Sequence, residues 1–549
     1  MPFSLGIVHG YGFAGAGSNL WTRSVVRALC HLGHTVHVVC QESRPEAYDF
    51  VAEAISYDAA GAPETLFRRE TPAPGRCVVH RPALAVLPTY VRPRTASTYV
   101  RSILDLDEDT IEDYVMRNAR VLERVGAEVE GFCVNHVVLS SVAAQRAKER
   151  TGVPFAVLPH GSAIEYVVRK DARMHAAASA ALAAADRVFA LNGEMEGRLR
   201  DVFGEVPGLS AKVSRLPVGV DTDQFDVAAR AERRRHVEKL LGMVEGEARG
   251  RTPEHTRSLT AGLGDDLSDE DLLAALQASA DYTSSAPDAG LEERLRALDW
   301  EDAPVVLYVG RLIAEKGFPA AVFAFPEVLA RRPDARLVVA GTGGLREAME
   351  AAVWALAHGR RRLVRQIVRL GTALQGDAEP EPFALAAAYL DRLEAAGELD
   401  GFFERAERNL RPEHVVFTGF LDHGPLGQLY AVADVGVFPS VVREASPLVI
   451  PEAAASGTLP VGTDYGGMGD SLRTLGEALP AEARALLTVR YDPAHAVADL
   501  VENVSAALEE PGRFAQALRE AAVARYDWRA IAGRLAETLA ALPTGPVRG

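Results

Sequence analysis

Two basic residues follow the first buried strand predicted in the second half of the chain. The segment VVLYVGRLIAEKG spans residues 305–317, so Arg311 and Lys316 lie five positions apart, just after the turn residue Gly310. A guanidinium binds two phosphate oxygens at once, and an ammonium adds a compact charge. The pair suits a diphosphate, although a solvated loop could carry the same residues. Only five of the 59 Lys and Arg residues are lysines, so Lys316 reflects either a need for an ammonium or the chance survival of one lysine.

Two glutamates eight positions apart lie further along the chain. The segment PSVVREASPLVIPEAAASG spans residues 439–457 and contains Glu444 and Glu452. A carboxylate accepts hydrogen bonds from two hydroxyls, which suits it to binding a sugar or a ribose. The alternative interpretation is two surface glutamates that flank the start of a helix.

The residues between these glutamates predict where the helix begins. Ser446 is a preferred N-cap and Pro447 a preferred first helical residue, so we predict a helix from Pro447. The N–H groups of Leu448 and Val449 would then form an anion site at the positive end of the helix dipole. Pro451 would fall in the second turn, where it would remove a backbone hydrogen bond and kink the axis.

The elements that position these residues are predicted to form two α/β domains. Residues 1–225 alternate β-branched runs such as SLGIVH and TVHVVC with helical stretches, which indicates a parallel sheet covered by helices. Residues 226–300 are predicted as a helical insertion or linker, and residues 301–521 as a second α/β series with a helical insert at about 345–410. Residues 522–549 end in a helix predicted to cross back to the first domain. Two such domains would leave a cleft along the carboxyl ends of both sheets, where ligands bind.

Composition argues against several classes of protein. The chain has 549 residues and a formal net charge of −16, which argues against nucleic acid as the main partner. No apolar run reaches the roughly 18 residues that a membrane span needs, and no basic leader precedes the first strand, so we expect a cytoplasmic protein. The cysteines are far apart in sequence, which indicates reduced core thiols rather than a metal site; they are Cys30, Cys40, Cys77 and Cys133.

The motifs of the second half, taken in order, are similar to those of a known family. They are Gly310-Arg311, Glu315-Lys316-Gly317, Gly341-Thr342-Gly343, Glu444 with Glu452, Gly457-Thr458-Leu459-Pro460-Val461 and Gly466-Gly467. With this series the chain resembles the family 4 retaining glycosyltransferases, which have the GT-B architecture of two Rossmann-like domains facing a central cleft. In the first half the resemblance is looser and rests on the glycine-rich opening, on LPHGS around His160 and on LPVGVDTDQF around Asp221.

The resemblance implies a role for each matching residue. Arg311 and Lys316 would hold the donor diphosphate and stabilise the charge that grows on the leaving phosphate. Glu444 would touch the transferred sugar, Glu452 would bind the ribose hydroxyls, and His160 would reach the sugar from the first domain. Enzymes of this architecture generally need no divalent metal, so no metal ligands are expected. The further donor-binding residues implied in this way are Gly15, Gly17, Gly310, Gly341, Gly343, Phe420, Leu421, Ser446, Pro447 and Leu448.

The opening stretch GYGFAG, residues 10–15, matches the dinucleotide fingerprint G-x-G-x-x-G. Glu42, after the next predicted strand, could act as the carboxylate that binds the ribose of NAD. The loop nevertheless continues as AGAGSN, longer and richer in glycine than the fingerprint, and Ser18 is predicted to cap a helix from Asn19. In the family that the chain resembles, the equivalent loop, here about residues 12–17, packs near the donor phosphates and the acceptor. We interpret the stretch as that loop.

These features predict transfer of a sugar from a nucleotide-diphosphate donor to an acceptor hydroxyl, with retention at the anomeric carbon and without a metal. The resemblance favours a UDP- or GDP-linked donor. The alternatives are another reaction of the same site (an epimerase or a phosphorylase-like enzyme), an NAD-dependent oxidoreductase, and a binding protein that has lost activity. The family's usual E-P-F-G-L is EASPL here, so contacts to the sugar can differ. The sequence leaves the acceptor and the oligomeric state open.

Overall fold

The computed structural model describes residues 2–15, 17–91 and 97–543. Parts of the predicted segments lie outside the described residues: Met1, Ala16 in the glycine-rich loop, residues 92–96 of the first domain and residues 544–549 at the end of the chain. Within the described ranges, no helix combines the length and the apolar character that crossing a membrane requires.

The chain divides into two compact units. Unit 1 comprises Met1–Gly219 and Tyr526–Gly549, and unit 2 comprises Val220–Arg525. Each unit is built around a largely parallel sheet whose strands alternate with helices. This arrangement confirms the α/β class that the alternating sequence pattern predicts.

Unit 1 has one large sheet and one small one. Its strands among the described residues are Ser4–Val8 (β1), Thr35–Val39 (β2), Val51–Tyr57 (β3), Pro63–Arg68 (β4), Arg76–Pro82 (β5), Leu87–Thr89 (β6), Val100–Ser102 (β7), Phe132–Asn135 (β8), Phe155–Leu158 (β9), Arg187–Ala190 (β10) and Val213–Arg215 (β11). The large sheet has the order β11-β10-β9-β8-β1-β2-β5-β3-β4, and only β3 and β4 pair antiparallel. Strands β6 and β7 pair separately. The central strands are short, apolar and buried, as in sheets covered on both faces.

The helices of unit 1 connect these strands. They are Ser18–His31, Glu108–Val125, Ser140–Thr151, Gly161–Ala163, Ala172–Ala184, Gly193–Phe203, Leu209–Lys212 and the terminal Trp528–Ala540. The terminal helix packs on the first: the ring of Trp528 lies edge-on to that of Trp21, with centroids 6.3 Å apart. The same ring lies so close to Gly219 that a Cβ there would be 2.3 Å from it. The helix Trp528–Ala540 is thus part of the core of unit 1.

Unit 2 contains a sheet with the strand order of a Rossmann fold. Its strands, all within the described residues, are Val305–Val309 (β12), Arg336–Ala340 (β13), Val415–Gly419 (β14), Val435–Phe438 (β15), Leu459–Thr463 (β16) and Thr488–Val489 (β17). The order is β14-β13-β12-β15-β16-β17, and every pair is parallel. The order reverses between β12 and β15, and in open α/β sheets ligands bind beside such a reversal.

Helices of unit 2 include those of both predicted insertions. Residues 226–300 contain Arg233–Met243, Pro253–Ala261, Asp269–Ala278 and Leu291–Arg296, and the stretch 345–410 contains Arg346–Ala357, Arg361–Leu370, Ala384–Ala395 and Leu399–Asn409. The other helices are Phe318–Arg331, His423–Ala431, Val449–Ala455, Gly466–Gly476, Ala481–Leu486, Ala496–Ala507 and Ala515–Tyr526. Both insertions belong to the same compact unit as the sheet of β12–β17.

Candidate active site

The sheet of unit 2 brings Lys316 and Glu444 into contact. Lys316 lies in the loop after β12 and Glu444 in the loop after β15, and these strands are neighbours where the strand order reverses. The Lys316 ammonium nitrogen Nζ lies 2.7 Å from the Glu444 carboxylate oxygen Oε2, and the two side chains are 27% and 13% exposed. Two of the predicted site residues therefore meet at the position where an open α/β sheet binds its ligand.

The loop that carries Arg311 and Lys316 rests on a buried tyrosine. The Tyr308 hydroxyl donates to the backbone oxygen of Arg311 at 3.2 Å and lies 3.5 Å from that of Lys316. Burial raises the pKa of Tyr308, and the nearby Glu444 carboxylate raises it further. The hydroxyl therefore keeps its proton at neutral pH and continues to donate to the loop.

Backbone contacts join the same loop to the end of β15. The Val441 N–H donates to the backbone oxygen of Glu315 at 3.0 Å. Gly317 has a φ of 70°, and a Cβ at this position would lie 1.7 Å from the Pro439 oxygen. Only glycine permits this approach of the two backbones, because any other residue combines strain with a clash. The glycine of the E-K-G motif thus sets the distance between Lys316 and the loop that carries its partner.

Arg311 has no carboxylate partner comparable to that of Lys316. Its side chain is exposed and forms no ion pair with any of the residues that the structure describes. The preceding Gly310 has a φ of 156°, and a Cβ on Gly341 would lie 1.9 Å from the Gly310 oxygen. The loops after β12 and β13 are therefore packed backbone against backbone.

Glu452 is buried between two polar rings. It is 4% exposed, and its oxygen Oε1 lies 3.1 Å from His423 Nε2. Burial and the adjacent Glu452 carboxylate raise the pKa of Tyr430 well above its usual value. The sequence-based prediction did not include His423, although this residue stands in the stretch VVFTGFLDHGPLGQLY before the two glutamates. A histidine at the start of a helix after a buried strand is the signal that could have identified it.

The helix that contains Glu452 begins later than predicted. It spans Val449–Ala455, so Ser446 is not its N-cap and Pro447 is not its first residue. The prediction was wrong because Pro447 instead begins a turn, with the Ile450 N–H 3.4 Å from the Pro447 oxygen. Pro451 is then the third helical residue, a position where a backbone N–H would have no partner within the helix, so proline, which lacks an N–H, removes no hydrogen bond there. Ser446 and Leu448 are partly exposed in this turn.

The remaining predicted donor-binding residues of unit 2 lie at the ends of β13 and β14. A Cβ on Gly343 would lie 2.5 Å from the Leu312 oxygen, so this glycine is required for packing of the two loops. Phe420, just after β14, is 38% exposed, whereas its neighbour Leu421 is buried. The Phe420 ring is thus accessible to solvent, whereas Leu421 belongs to the core.

His160, in unit 1, follows β9 at the carboxyl end of the sheet. Its Nε2 lies 2.7 Å from the Asn135 carboxamide oxygen, and the Asn135 nitrogen in turn donates to the Val8 oxygen at 3.1 Å. Burial lowers the pKa of His160 to about 3, with a further contribution from His9. The ring is therefore neutral at physiological pH, and its orientation is fixed by a buried amide.

Two further histidines, absent from the predicted site, lie beside His160. His9 follows β1 and His136 follows β8, so that three neighbouring strands each end in a histidine. The ring centroid of His136 lies 4.8 Å from that of His160 and 6.1 Å from that of His9. His136 has a φ of 72°, which is strained for a residue with a side chain. Among residues 2–15, 17–91 and 97–543, no group of histidine, cysteine or acidic side chains is arranged to hold a metal ion.

The buried histidines predict that unit 1 loses stability in acid. Burial lowers the pKa of His9 to about 4, against an ordinary value of 6.5. Between these values the unfolded chain binds a proton that the folded chain does not, so the free energy of unfolding falls as the pH falls from 6.5 towards 4. Replacing His9 with asparagine should reduce this loss by about 1.4 kcal/mol per pH unit. Denaturant titrations of both proteins at pH 7, 6 and 5 measure the difference; parallel pH dependences would contradict the prediction.

Glu42 supports the glycine-rich loop from within. Its oxygen Oε2 accepts from the Phe13 N–H at 2.6 Å, and Oε1 accepts from the Arg44 N–H at 2.9 Å. The side chain is buried, and a Cβ on Gly12 would lie 2.8 Å from Oε2. Because both oxygens hold backbone groups, the carboxylate is committed to the loop and is poorly placed to bind the ribose of NAD.

The helix after this loop begins at Ser18, which corrects the predicted cap. Ser18 is the first helical residue of Ser18–His31, and Gly17 occupies the N-cap position without a side-chain cap. Gly17 has a φ of 64° and Gly15 a φ of 107°, conformations that glycine adopts most readily. The loop therefore enters the helix through glycine backbone rather than through a capping hydroxyl.

Family models match two parts of unit 2. The model described as "Glycosyl transferases group 1" matches residues 384–510, and a second model with the same description matches residues 292–364. Residues 292–364 contain Lys316, and residues 384–510 contain Glu444 and Glu452, so the two matches include the loops of the candidate site.

Individual relatives extend the comparison. The chain is 26% identical to a glycogen synthase of Mycobacterium tuberculosis over 243 residues, which is 44% of this chain and 43% of that protein. It thus spans less than half the length of this curated relative. Sucrose-phosphate synthase from Thermosynechococcus elongatus superposes with a TM-score of 0.51 at 16% identity, covering 98% of each chain. Anabaena Alr3699/HepE in complex with UDP superposes with a TM-score of 0.52 at 13% identity, covering 99% of this chain and 100% of that one. Two stretches of the chain thus match family models described as glycosyl transferases group 1, and the chain shares its fold with these solved structures.

Proposed function

We propose that the chain is a retaining, metal-independent glycosyltransferase that moves a sugar from a nucleoside-diphosphate donor to an acceptor hydroxyl. The observation that carries the proposal is the contact of Lys316 with Glu444 at the reversal of a Rossmann-ordered sheet, on a loop that also carries Arg311, whose side chain forms no ion pair with the described residues. A cation paired to a carboxylate and a free guanidinium give a site that can accept a diphosphate without the addition of a metal. A neighbour of the same fold was solved with UDP, which supports this ligand class.

The contacts of the site suggest how it would act on a donor. The diphosphate would draw the Lys316 ammonium away from Glu444 and would receive a two-point contact from Arg311. When the bond between the sugar and the diphosphate breaks, its electron pair remains on the leaving phosphate oxygen, where both cations stabilise the new charge. The acceptor oxygen would bond to the anomeric carbon on the face that the diphosphate leaves, and its proton would pass to the departing phosphate oxygen. Glu444, released from the lysine, would then lie beside the transferred sugar.

Glu452 would bind the ribose of the donor. A buried carboxylate accepts hydrogen bonds from two neighbouring hydroxyls, and His423, 3.1 Å from Oε1, fixes its orientation. Only the resemblance bears on the nucleotide base, and it favours uracil and guanine equally. The contact of His160 with the sugar stays a prediction, because His160 lies in unit 1 whereas Lys316 and Glu444 lie in unit 2.

A thermal-shift screen with UDP, GDP, ADP and dTDP tests this proposal. One nucleotide, with a chelator present throughout, should raise the melting temperature of the wild type, since a ligand at about 100 times its Kd adds about 2.7 kcal/mol. Lys316→Ala should reduce the shift strongly, because a hydrogen bond to a charged group contributes about 1.5–3 kcal/mol.

The matched control for this screen is Lys239→Ala. Lys239 is an exposed lysine of the same unit, and its replacement should leave the shift unchanged. An equal shift in the wild type and in Lys316→Ala would contradict the proposed site. A shift that appears only without the chelator would contradict metal independence.

A further inference from the structure

The first insertion is hydrogen-bonded to the end of β14. The Phe420 N–H donates to the Ala286 oxygen at 3.1 Å, and the Asp288 N–H donates to the Thr418 oxygen at 2.9 Å. These bonds surround Gly419, which has a φ of 74°, and a Cβ there would lie 2.6 Å from Asp288 Oδ1. The insertion therefore packs directly on the backbone that presents the exposed ring of Phe420.

The same insertion reaches the loop after β13 through a buried ion pair. The Asp288 carboxylate accepts from the Arg346 guanidinium at 2.8 Å, and both side chains are almost wholly buried. Arg346 is the first residue of the helix that follows the Gly341–Gly343 loop, and its guanidinium lies 4.0 Å from the centroid of the Phe417 ring. Asp288 thus contacts both the end of β14, through its backbone, and the helix that follows β13, through its carboxylate.

The second insertion reaches the loop after β12. Gln375 ends the short helix Gly371–Gln375, and its oxygen Oε1 accepts from the Ala314 N–H at 3.0 Å. Its nitrogen Nε2 donates to the Glu315 carboxylate at 3.3 Å. Ala314 is the first residue of the turn Ala314–Lys316, so its N–H has no partner inside that turn. The Gln375 side chain therefore pairs with both the Ala314 N–H and the Glu315 carboxylate, in the turn that ends at Lys316.

We propose that the two insertions are positioning elements of the donor site, with Asp288 and Gln375 as the positioning residues. The inference rests on the proposed function, since it assigns a purpose to contacts with loops that carry Arg311, Lys316 and Phe420. A side chain that binds ligand needs a second layer of contacts to hold it, because a misplacement of about 1 Å can lower a rate by about 10²-fold. Each insertion supplies such a contact to a different loop.

The test compares Gln375→Ala with Gln366→Ala. Gln366 lies in the same insertion, and among the described residues its side chain donates to two groups of the first insertion, the Leu267 oxygen at 3.1 Å and Asp269 Oδ1 at 2.9 Å. Gln375→Ala should weaken binding of the preferred nucleoside diphosphate about fivefold, the typical effect of one neutral hydrogen bond. Gln366→Ala should bind as the wild type does. Calorimetric titration gives both constants.

Amide hydrogen exchange provides a readout that a general loss of stability would not reproduce. Gln375→Ala should accelerate exchange in residues 311–317 about tenfold while leaving β12 and β13 protected, and Gln366→Ala should not. Asp288→Asn should accelerate exchange in residues 419–421 instead. A Gln375→Ala protein with unchanged exchange in residues 311–317, or with wild-type affinity, would overturn the inference alone. A wild type that binds no nucleotide would overturn the proposed function and the inference with it.

Discussion

Glu444→Gln is expected to bind the nucleoside diphosphate more tightly than the wild type and to transfer sugar far more slowly. The Glu444 carboxylate lies 2.7 Å from the Lys316 ammonium, so it competes with the diphosphate for this cation. Glutamine removes the competing charge, and also its repulsion of the phosphates, which should lower the Kd about fivefold. The transferred sugar would lose the charge beside its anomeric carbon, and kcat should fall by roughly 10²- to 10³-fold.

The opposite signs of these two effects separate a catalytic role from a structural one. Misfolding would weaken binding and turnover together, whereas loss of a carboxylate that acts in the site should tighten binding and slow turnover. Glu238→Gln is the control, because Glu238 pairs with Arg296 at 2.8 Å on an exposed helix of the same unit and should change neither constant. Calorimetry and initial rates with the preferred donor measure both quantities. Weaker nucleotide binding in Glu444→Gln, or an unchanged kcat, would contradict the proposed geometry.

The contact of Lys316 with Glu444 could be anticipated only through the resemblance to a family. Each residue stands after a strand that the sequence identifies as a continuous apolar run, such as VVLYV for β12. Their proximity, however, depends on β15 lying beside β12, and no local pattern encodes strand order. The ordered motifs supplied that information, because they point to an architecture in which those loops converge.

Strands that lack an apolar run were not predicted. β4, with the sequence PETLFR, is largely exposed at the edge of the sheet, so its polar residues do not give a strand pattern. β8 has only the four residues FCVN, too few to show a period. The central strands β1, β2 and β9 were predicted because their apolar runs are buried on both faces, whereas β8, which is also central and buried, is interrupted by Asn135 after three apolar residues.

Side chains that act through distant contacts were also missed. Gln375 meets Ala314 from 61 positions away, and His423 meets Glu452 from 29. Neither residue belongs to a motif whose chemistry is evident from its neighbours in sequence. The start of the helix at Val449 was misplaced for a related reason, since the Ser-Pro pair suits both a helix start and the turn that the fold selects.

Asp434→Ala is expected to lower the free energy of unfolding by about 3–5 kcal/mol, the usual effect of breaking a buried ion pair. The Asp434 side chain has no exposed surface, and its oxygens accept from the Arg233 guanidinium at 2.6 Å and from the Val305 N–H at 2.9 Å. Alanine would leave the Arg233 charge buried without its partner and would release the first N–H of β12. The strand that leads to Arg311 would lose its anchor.

A series of variants separates the buried charge from the surface charge of the same cluster. Arg230 contacts Asp434 at 3.2 Å but is 35% exposed, so Arg230→Ala should cost at most about 1 kcal/mol. Asp434→Asn keeps an acceptor for the Val305 N–H and should lie between the two. Because Arg233 begins the first helix of the 226–300 segment, the same order would show that the buried Asp434 carboxylate holds the start of this segment against β12. If Arg230→Ala were as destabilising as Asp434→Ala in denaturant unfolding, the stabilising pair would be the exposed one, and the segment would be held at its surface rather than at the start of β12.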